Sequence, residues 1–247
     1  MYHEFSESYD MMVQFDSKWE KQKTLWQGLV EKHSAETVLD FGCGTGFHSL
    51  LLGSLGLKVI GVDPTAEMIH QAEKNKEKYA PNSNVTFICG DIYSIAESHD
   101  HFDWILCLGN TLPHFHNERG VKEFLIFAFQ HLNKFSTLWI QLLNYHKIIS
   151  NKERMVGITG DENHTFVRFY DFLDGKVNFN ILNITRNEKS FSHKWHQNEL
   201  FPVTADEIKK YFGDLLLYEH VEFFADFNET PFDKEASGNL VLLAHKL

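Results

Sequence analysis

The run from residue 37 to residue 63 restricts the fold more than any other part of the chain. "TVLDF" (37–41) is a short apolar run, "GCGTG" (42–46) a glycine-rich turn, and a helical stretch follows from about residue 48 to 55. "KVIGVD" (58–63) is a second extended run that stops at Asp63-Pro64. Two strands joined through a crossover helix of this length pair side by side and parallel. The chain then repeats the unit. "TAEMIHQAEKNKEKYA" (65–80) sets Met68, Ile69 and Ala72 on one helical side, and "NVTFICGD" (84–91) and "FDWILCLGN" (102–110) read as strands three and four. Residues 119–133 place Val121, Phe124, Leu125, Ala128, Phe129 and Leu132 at helical spacing before a fifth strand, "STLWIQLLN" (136–144). Strands and helices in this rhythm predict an α/β fold with a parallel sheet.

After strand five the rhythm breaks. Residues 165–187 are extended around Asp174-Gly175, a strong hairpin signal, and "FSHKWH" (191–196) offers a further antiparallel strand. The helical pattern returns at "TADEIKKYF" (204–212), where Thr204 and Glu207 have capping-box spacing, and two strand-like runs end the sequence. Ser17 and Glu20 have the same spacing and predict a helix start at 17, with Trp26, Leu29 and Val30 on its apolar face. The organisation expected is an N-terminal lid and helix (1–34), a core (35–145 and 201–247) and an inserted β-hairpin cap (146–200).

Composition narrows the function. The formal net charge is −11 and there is no Lys/Arg cluster, which disfavours a nucleic-acid partner and favours a small-molecule one. With 22 Phe and 43% hydrophobic residues, the chain can bury an aromatic-rich core. Cys43, Cys89 and Cys107 form no CxxC pair, so reduced thiols are expected and neither a disulfide framework nor a zinc site. Residues 1–10 lack a signal-peptide pattern and no apolar run approaches the roughly 20 residues that cross a bilayer. A soluble, cytoplasmic protein with no membrane partner is expected, and a homo-oligomer is compatible with it. His114-x-His116 and His193-x-x-His196 lack a third ligand at a recognisable spacing, so no metal is expected.

The glycine turn selects a ligand. A dinucleotide loop, G-x-G-x-x-G, would need a third glycine where Phe47 or Ser49 stands. The pattern is instead D-x-G-x-G-x-G, from Asp40 through Gly42 and Gly44 to Gly46, a broader loop suited to a ligand with an amino-acid portion. Asp63, ending strand two, is placed for a ribose hydroxyl pair, and Asp91, ending strand three, for an adenine amine. In order and spacing, "VLDFGCGTG", "GVDPTAEMI" and "CGDI" resemble the class I S-adenosylmethionine-dependent methyltransferases. The resemblance implies a Rossmann-like seven-stranded sheet of order 3-2-1-4-5-7-6 with the last strand antiparallel and a β insertion after strand five. It further implies S-adenosylmethionine as donor and S-adenosylhomocysteine as product. "CLGNTLPHF" (107–115) and "NYHKII" (144–149) are similar to glycine and sarcosine N-methyltransferases.

The resemblance assigns the donor to Asp40, Gly42, Cys43, Gly44, Gly46, Asp63, Pro64, Met68, Asp91, Ile92, Leu108 and Gly109, with Lys18 placed to pair its carboxylate. Asn110 and His114 are the catalytic candidates carried over from the matching residues, one binding substrate and the other orienting or deprotonating it. Tyr9 is a lid candidate over the donor. Alternation puts Phe166, Arg168, Tyr170 and Phe172 on one strand face. Arg168 there can clamp a carboxylate, with Arg186 a second possibility, and Tyr170 and Tyr145 are further substrate candidates. Asp226 and Phe232 are candidates for the pocket mouth. The reading is methyl transfer to a small molecule, at nitrogen before oxygen. Transfer of another group from the same donor and non-catalytic donor sensing stay open as rivals, and a nicotinamide oxidoreductase is weaker.

Overall fold

The computed structural model describes residues 6–96, 101–173, 176–187, 190–217 and 220–246. The first sheet contains β1 (Thr37–Phe41), β2 (Lys58–Asp63), β3 (Val85–Cys89), β4 (Phe102–Cys107), β5 (Leu132–Leu143), β10 (His220–Phe224) and β11 (Asn239–Lys246). Its order is β10-β11-β5-β4-β1-β2-β3. Counted within this sheet alone, that is 3-2-1-4-5-7-6, as expected. β1 to β5 run parallel, while β11 is antiparallel to both β5 and β10.

Period-two alternation explains why both faces of this sheet are covered. Val38, Trp104, Leu106 and Trp139 point to one side, against α2 (Phe15–His33), α3 (Phe47–Ser54) and α4 (Ala66–Tyr79). Leu39, Ile105, Cys107 and Ile140 point to the other, against α6 (Glu118–His131) and α8 (Ala205–Leu215). Trp26, Trp104 and Trp139 meet with ring centroids 5.4 to 6.1 Å apart, anchoring α2 on the sheet. Among the described residues no helix is long and apolar enough to cross a membrane.

Two expectations change. The N-terminal helix does not start at Ser17. A helix α1 (Ser6–Val13) precedes it, and α2 begins at Phe15 after Gln14, whose φ of 61° breaks the pair. Ser17 lies inside α2 and its hydroxyl donates to the Gln14 carbonyl at 3.2 Å, so nothing remains for it to cap. The insertion is larger than a hairpin. β6 (Met155–Gly160), β7 (His164–Leu173), β8 (Lys176–Asn187) and β9 (Ser190–Leu200) form a four-stranded antiparallel sheet in chain order. Asp174-Gly175 lies outside the described residues, but Leu173 pairs with Lys176 on either side of it. Half of β6 and most of β9 are exposed, with only Leu200 of β9 buried, so neither strand shows the apolar-in, polar-out alternation that reveals a half-buried strand. The capping box at Thr204 and Glu207 forms as predicted.

Candidate active site

The site is built at the carboxyl ends of β1, β2, β3 and β4, where an open α/β sheet leaves a crevice. The turn after β1 runs so tightly that Gly42 and Cys43 both donate to the Val62 carbonyl, at 2.8 and 3.0 Å. Gly42 has φ 72°, and a Cβ there would come within 2.3 Å of the Thr111 methyl. Gly46 has φ 87° at the start of α3, and a Cβ would strike Phe87 at 2.7 Å. Side chains are excluded at both positions by conformation and by space.

The three acids have different surroundings. Asp40 is buried and accepts from the Ser49 hydroxyl at 2.6 Å. Burial pushes its carboxyl up to about 6, with the Ser49 bonds opposing the shift. Ser49, which stands where one dinucleotide register needs glycine, thus holds the Asp40 carboxyl. Asp63 accepts from the Gly44 amide at 3.0 Å and the Thr65 amide at 2.9 Å, one on each oxygen, and burial raises its pKa. Asp91 is exposed and accepts from the Tyr93 amide at 3.0 Å.

The crevice has two lobes. One, of about 430 Å³, is walled by Asp63, Pro64, Met68, Asp91, His114 and Asn198 among others. The other, of about 320 Å³, takes Lys18, Gln22, Asp40, Cys43, His48 and Leu108 into its wall. Tyr9, Gly42, Gly44, Gly109 and Thr111 line both, so they form the neck between the lobes. Tyr9 reaches it from α1, its ring 3.9 Å from where a Cβ on Gly44 would sit. Burial, with the charge of Asp63 second, pushes the Tyr9 hydroxyl up to about 12. Burial pushes the His114 imidazole down to about 4, with His116 adding to the shift. Burial also lowers the Lys18 ammonium, with Arg168 adding to it.

Several predicted residues lie outside both walls. Gly46 sits beneath Phe87 and Ile92 is in the core. Asn110, at φ 66°, donates to the Tyr145 hydroxyl at 2.9 Å and accepts from the Leu143 amide at 3.1 Å. It ties the loop after β4 to the end of β5 and to α7 (Tyr145–Ser150). Arg168 and Tyr170 lie on the inner face of the second sheet, with the Arg168 Nε buried and without a hydrogen-bond partner among the described residues. Asp226 does not reach the mouth. It accepts from the Asn228 amide at 2.9 Å and the Thr230 hydroxyl at 2.9 Å, and its neighbour Phe227 lines the second lobe instead. Phe232 packs on the core. Thr111, Asn198, Gln22, His48 and Phe227 were not anticipated. Thr111 lies inside the quoted "GNTLPH", whereas Asn198 and Phe227 come from distant segments with no local signature.

Fold and crevice together define a Rossmann-like protein built for a nucleoside-bearing ligand at the sheet's carboxyl edge. Residues 38–134 match the family described as "Methyltransferase domain". Glycine/sarcosine N-methyltransferase of Halorhodospira halochloris is 28% identical over 60% of this chain and 54% of its own length. The enzyme of the same description from Aphanothece halophytica is 23% identical over 92% of this chain and 82% of its own. The chain spans about half the length of the first two curated relatives it matches, 54% and 51%. A solved S-adenosylmethionine-dependent methyltransferase from Clostridium acetobutylicum superposes with a TM-score of 0.79 at 17% identity, over 99% of this chain and 98% of that one. Residues 38–134 are thus similar to a methyltransferase domain, and the chain has the fold of that solved S-adenosylmethionine-dependent methyltransferase.

Proposed function

We propose that this chain transfers the methyl group of S-adenosylmethionine to a nitrogen of a small-molecule acceptor and releases S-adenosylhomocysteine. The observation that carries the reading is the two-lobed crevice, with Asp63 and Asp91 on one wall, Asp40 on the other and Tyr9 across the neck. These residues fit the donor. Each Asp63 oxygen takes one backbone N–H, and a carboxylate oxygen accepts two, which leaves capacity for a ribose hydroxyl pair. Asp91 suits the adenine amine. Lys18 and the buried Gln22 carbonyl, which has no partner among the described residues, suit the charged amino-acid end in the other lobe.

The bound donor supplies a methyl group already electrophilic on its sulfonium. The protein's contribution is alignment and exclusion of water. Tyr9 and Thr111 border the neck, where the two reactants would meet. His114, held near 4, is a poor acceptor for an ammonium proton at neutral pH. It therefore orients the acceptor as a neutral hydrogen-bonding group, and the acceptor nitrogen enters as the free amine.

The names of the relatives support nitrogen. Arg168 supports an acceptor that carries a carboxylate: its Nε is buried and unpartnered, close enough to Tyr9 and Lys18 to perturb both. The test is incubation with methyl-labelled donor and a cell metabolite extract. The expected result is a labelled small amine, heavier by one methyl, with an equal amount of S-adenosylhomocysteine. Donor binding by calorimetry without any release of that product would sink catalysis, and a different mass gain would sink methyl transfer.

A further inference from the structure

The two faces of the second sheet differ in what covers them. Phe166, Tyr170 and Ile181 on the inner face are buried against α1 and α7. The outer face carries a row that crosses all four strands. Ile158 on β6 is opposite Val167, Val167 is opposite Leu182, and Leu182 is opposite Trp195 on β9. Directly opposed residues share a sheet face, so these four side chains stand together toward solvent. Ile158 is 64% and Trp195 63% exposed, and neighbouring rows add Phe191 at 70% and Met155 at 58%. Edge strands of monomers are blunted by charge, proline or short length. β9 has Lys194 on its inner side, yet it runs 11 residues with Phe191 and Trp195 on its outer side. Its tryptophan is also held in place: the Trp195 indole N–H donates to the Asn180 side-chain oxygen at 2.9 Å. A fixed, exposed aromatic loses little rotamer freedom on docking.

The two edges are unlike and complementary. On the β9 side, Phe191, His193 and Trp195 rim a shallow hollow of about 450 Å³ over Leu182 and Ile184. On the β6 side Ile158 projects from a strand that also carries Gly157 and Gly160, which have no side chains. A two-fold axis parallel to the strands, lying between two such faces, lays β6 of one copy over β9 of the other. Ile158 then meets the hollow beside Trp195, and symmetry makes the contact twice.

We propose that this face is the seat of a second copy of the chain, giving a symmetric dimer packed sheet on sheet. Four strands about 4.8 Å apart and about eight residues long at about 3.3 Å each give a flat area on the order of 500 Å². Relief from the protruding side chains brings this toward the roughly 800 Å² per partner of a standard interface. Charges bordering the row are answered within the chain, Lys176 by Glu199 at 2.8 Å and Arg154 by Asp171, while Arg186 covers the Phe191 ring at 5.4 Å. Docking therefore strands none of these charges. Asn198, which lines the crevice, lies on the face opposite Trp195, so both crevices stay open.

The test is sedimentation equilibrium of the full chain and of two variants, Ile158→Asp and Trp195→Lys. The wild-type chain is expected at twice its 28.8 kDa. Each variant should weaken the dimer by about 30-fold or more while keeping its circular dichroism and its calorimetric affinity for S-adenosylhomocysteine. Ile158 is 64% exposed and takes no part in the Trp195–Asn180 bond, so that variant reports even if loss of this bond harms folding. A monomeric wild type at micromolar concentration overturns the proposal. So does a dimer that survives Ile158→Asp.

Discussion

Asn110 shows how a residue can be found in the sequence while its work is not. Its place in "CLGN" marks it as a substrate contact, yet its amide group bridges Tyr145 and Leu143 and lines neither lobe. Such bonding is set by where β5 and α7 arrive, which no local pattern encodes. Because its φ is 66°, Asn110→Gly keeps the backbone and removes only the side-chain bonds. Turnover is expected to fall about 10- to 100-fold through misalignment, with the donor Kd shifting less than about 3-fold. Steady-state kinetics beside calorimetry separates the two, and an unchanged kcat would remove Asn110 from the positioning of the acceptor. Asp63 behaves in the opposite way. Asp63→Ala frees the Gly44 and Thr65 amides together with the proposed ribose contact, so donor affinity should drop about 30-fold or more. The tight glycine turn after β1 was legible because a turn's chemistry sits in adjacent residues.

Whole elements were legible where their signal stood against solvent. The motif S/T-x-x-E occurs at both Ser17 and Thr204, and only Thr204 caps a helix. Only Phe201 and Pro202 separate Val203 from Leu200, a buried strand end, so α8 must start afresh, whereas Ser17 is overrun by a helix that begins two residues earlier. Thr204→Ala should cost about 1 kcal/mol in denaturant unfolding, and an unchanged midpoint would show that α8 is held by packing alone. The opening turn of α3 supplies a pH test. His48 lies against Trp26 and Phe47 with ring centroids 5.6 and 5.2 Å away, and burial pushes its imidazole down to about 4, with Lys18 adding to it. A lowered folded pKa means that the unfolded chain takes the proton first. The stability from a neutral His48 is complete above the unfolded pKa of about 6.5 and is lost as pH falls through about 4. At pH 5 the deficit is about 2 kcal/mol. His48→Phe should therefore lose about that much less than the wild type between pH 8 and pH 5 in urea titrations; parallel losses would place the imidazole in water.

At the scale of the molecule, the parallel sheet followed from the rhythm of apolar runs, but the way the pieces close over the crevice did not. That closure depends on α1, which touches three distant parts of the chain. The Asp10 carboxylate on α1 accepts from Gln71 at 3.1 Å and from Asn75 at 2.8 Å on α4, and Asn75 also donates to the Thr45 carbonyl in the glycine turn, at 3.0 Å. Thr159 on β6 donates to the Met12 carbonyl at 3.0 Å, which fastens the other end of α1 to the second sheet. Tyr9 sits next to the first of these attachments on the same helix, so α1, the glycine turn and the second sheet are tied together. Removing the Asp10 attachment should loosen α1 without touching the crevice walls, since Asp10 lines neither lobe. Without donor, Asp10→Ala is expected to speed amide exchange across residues 6–13 and to leave β1 and β4 unchanged. Donor must then order the helix as it binds, so its Kd should rise about 5- to 10-fold, and saturating donor should restore most of the lost protection. Hydrogen exchange by mass spectrometry with and without S-adenosylhomocysteine reads both effects. Unaltered exchange over residues 6–13 would show that Met12 and the apolar contacts of α1 hold this helix in place without Asp10.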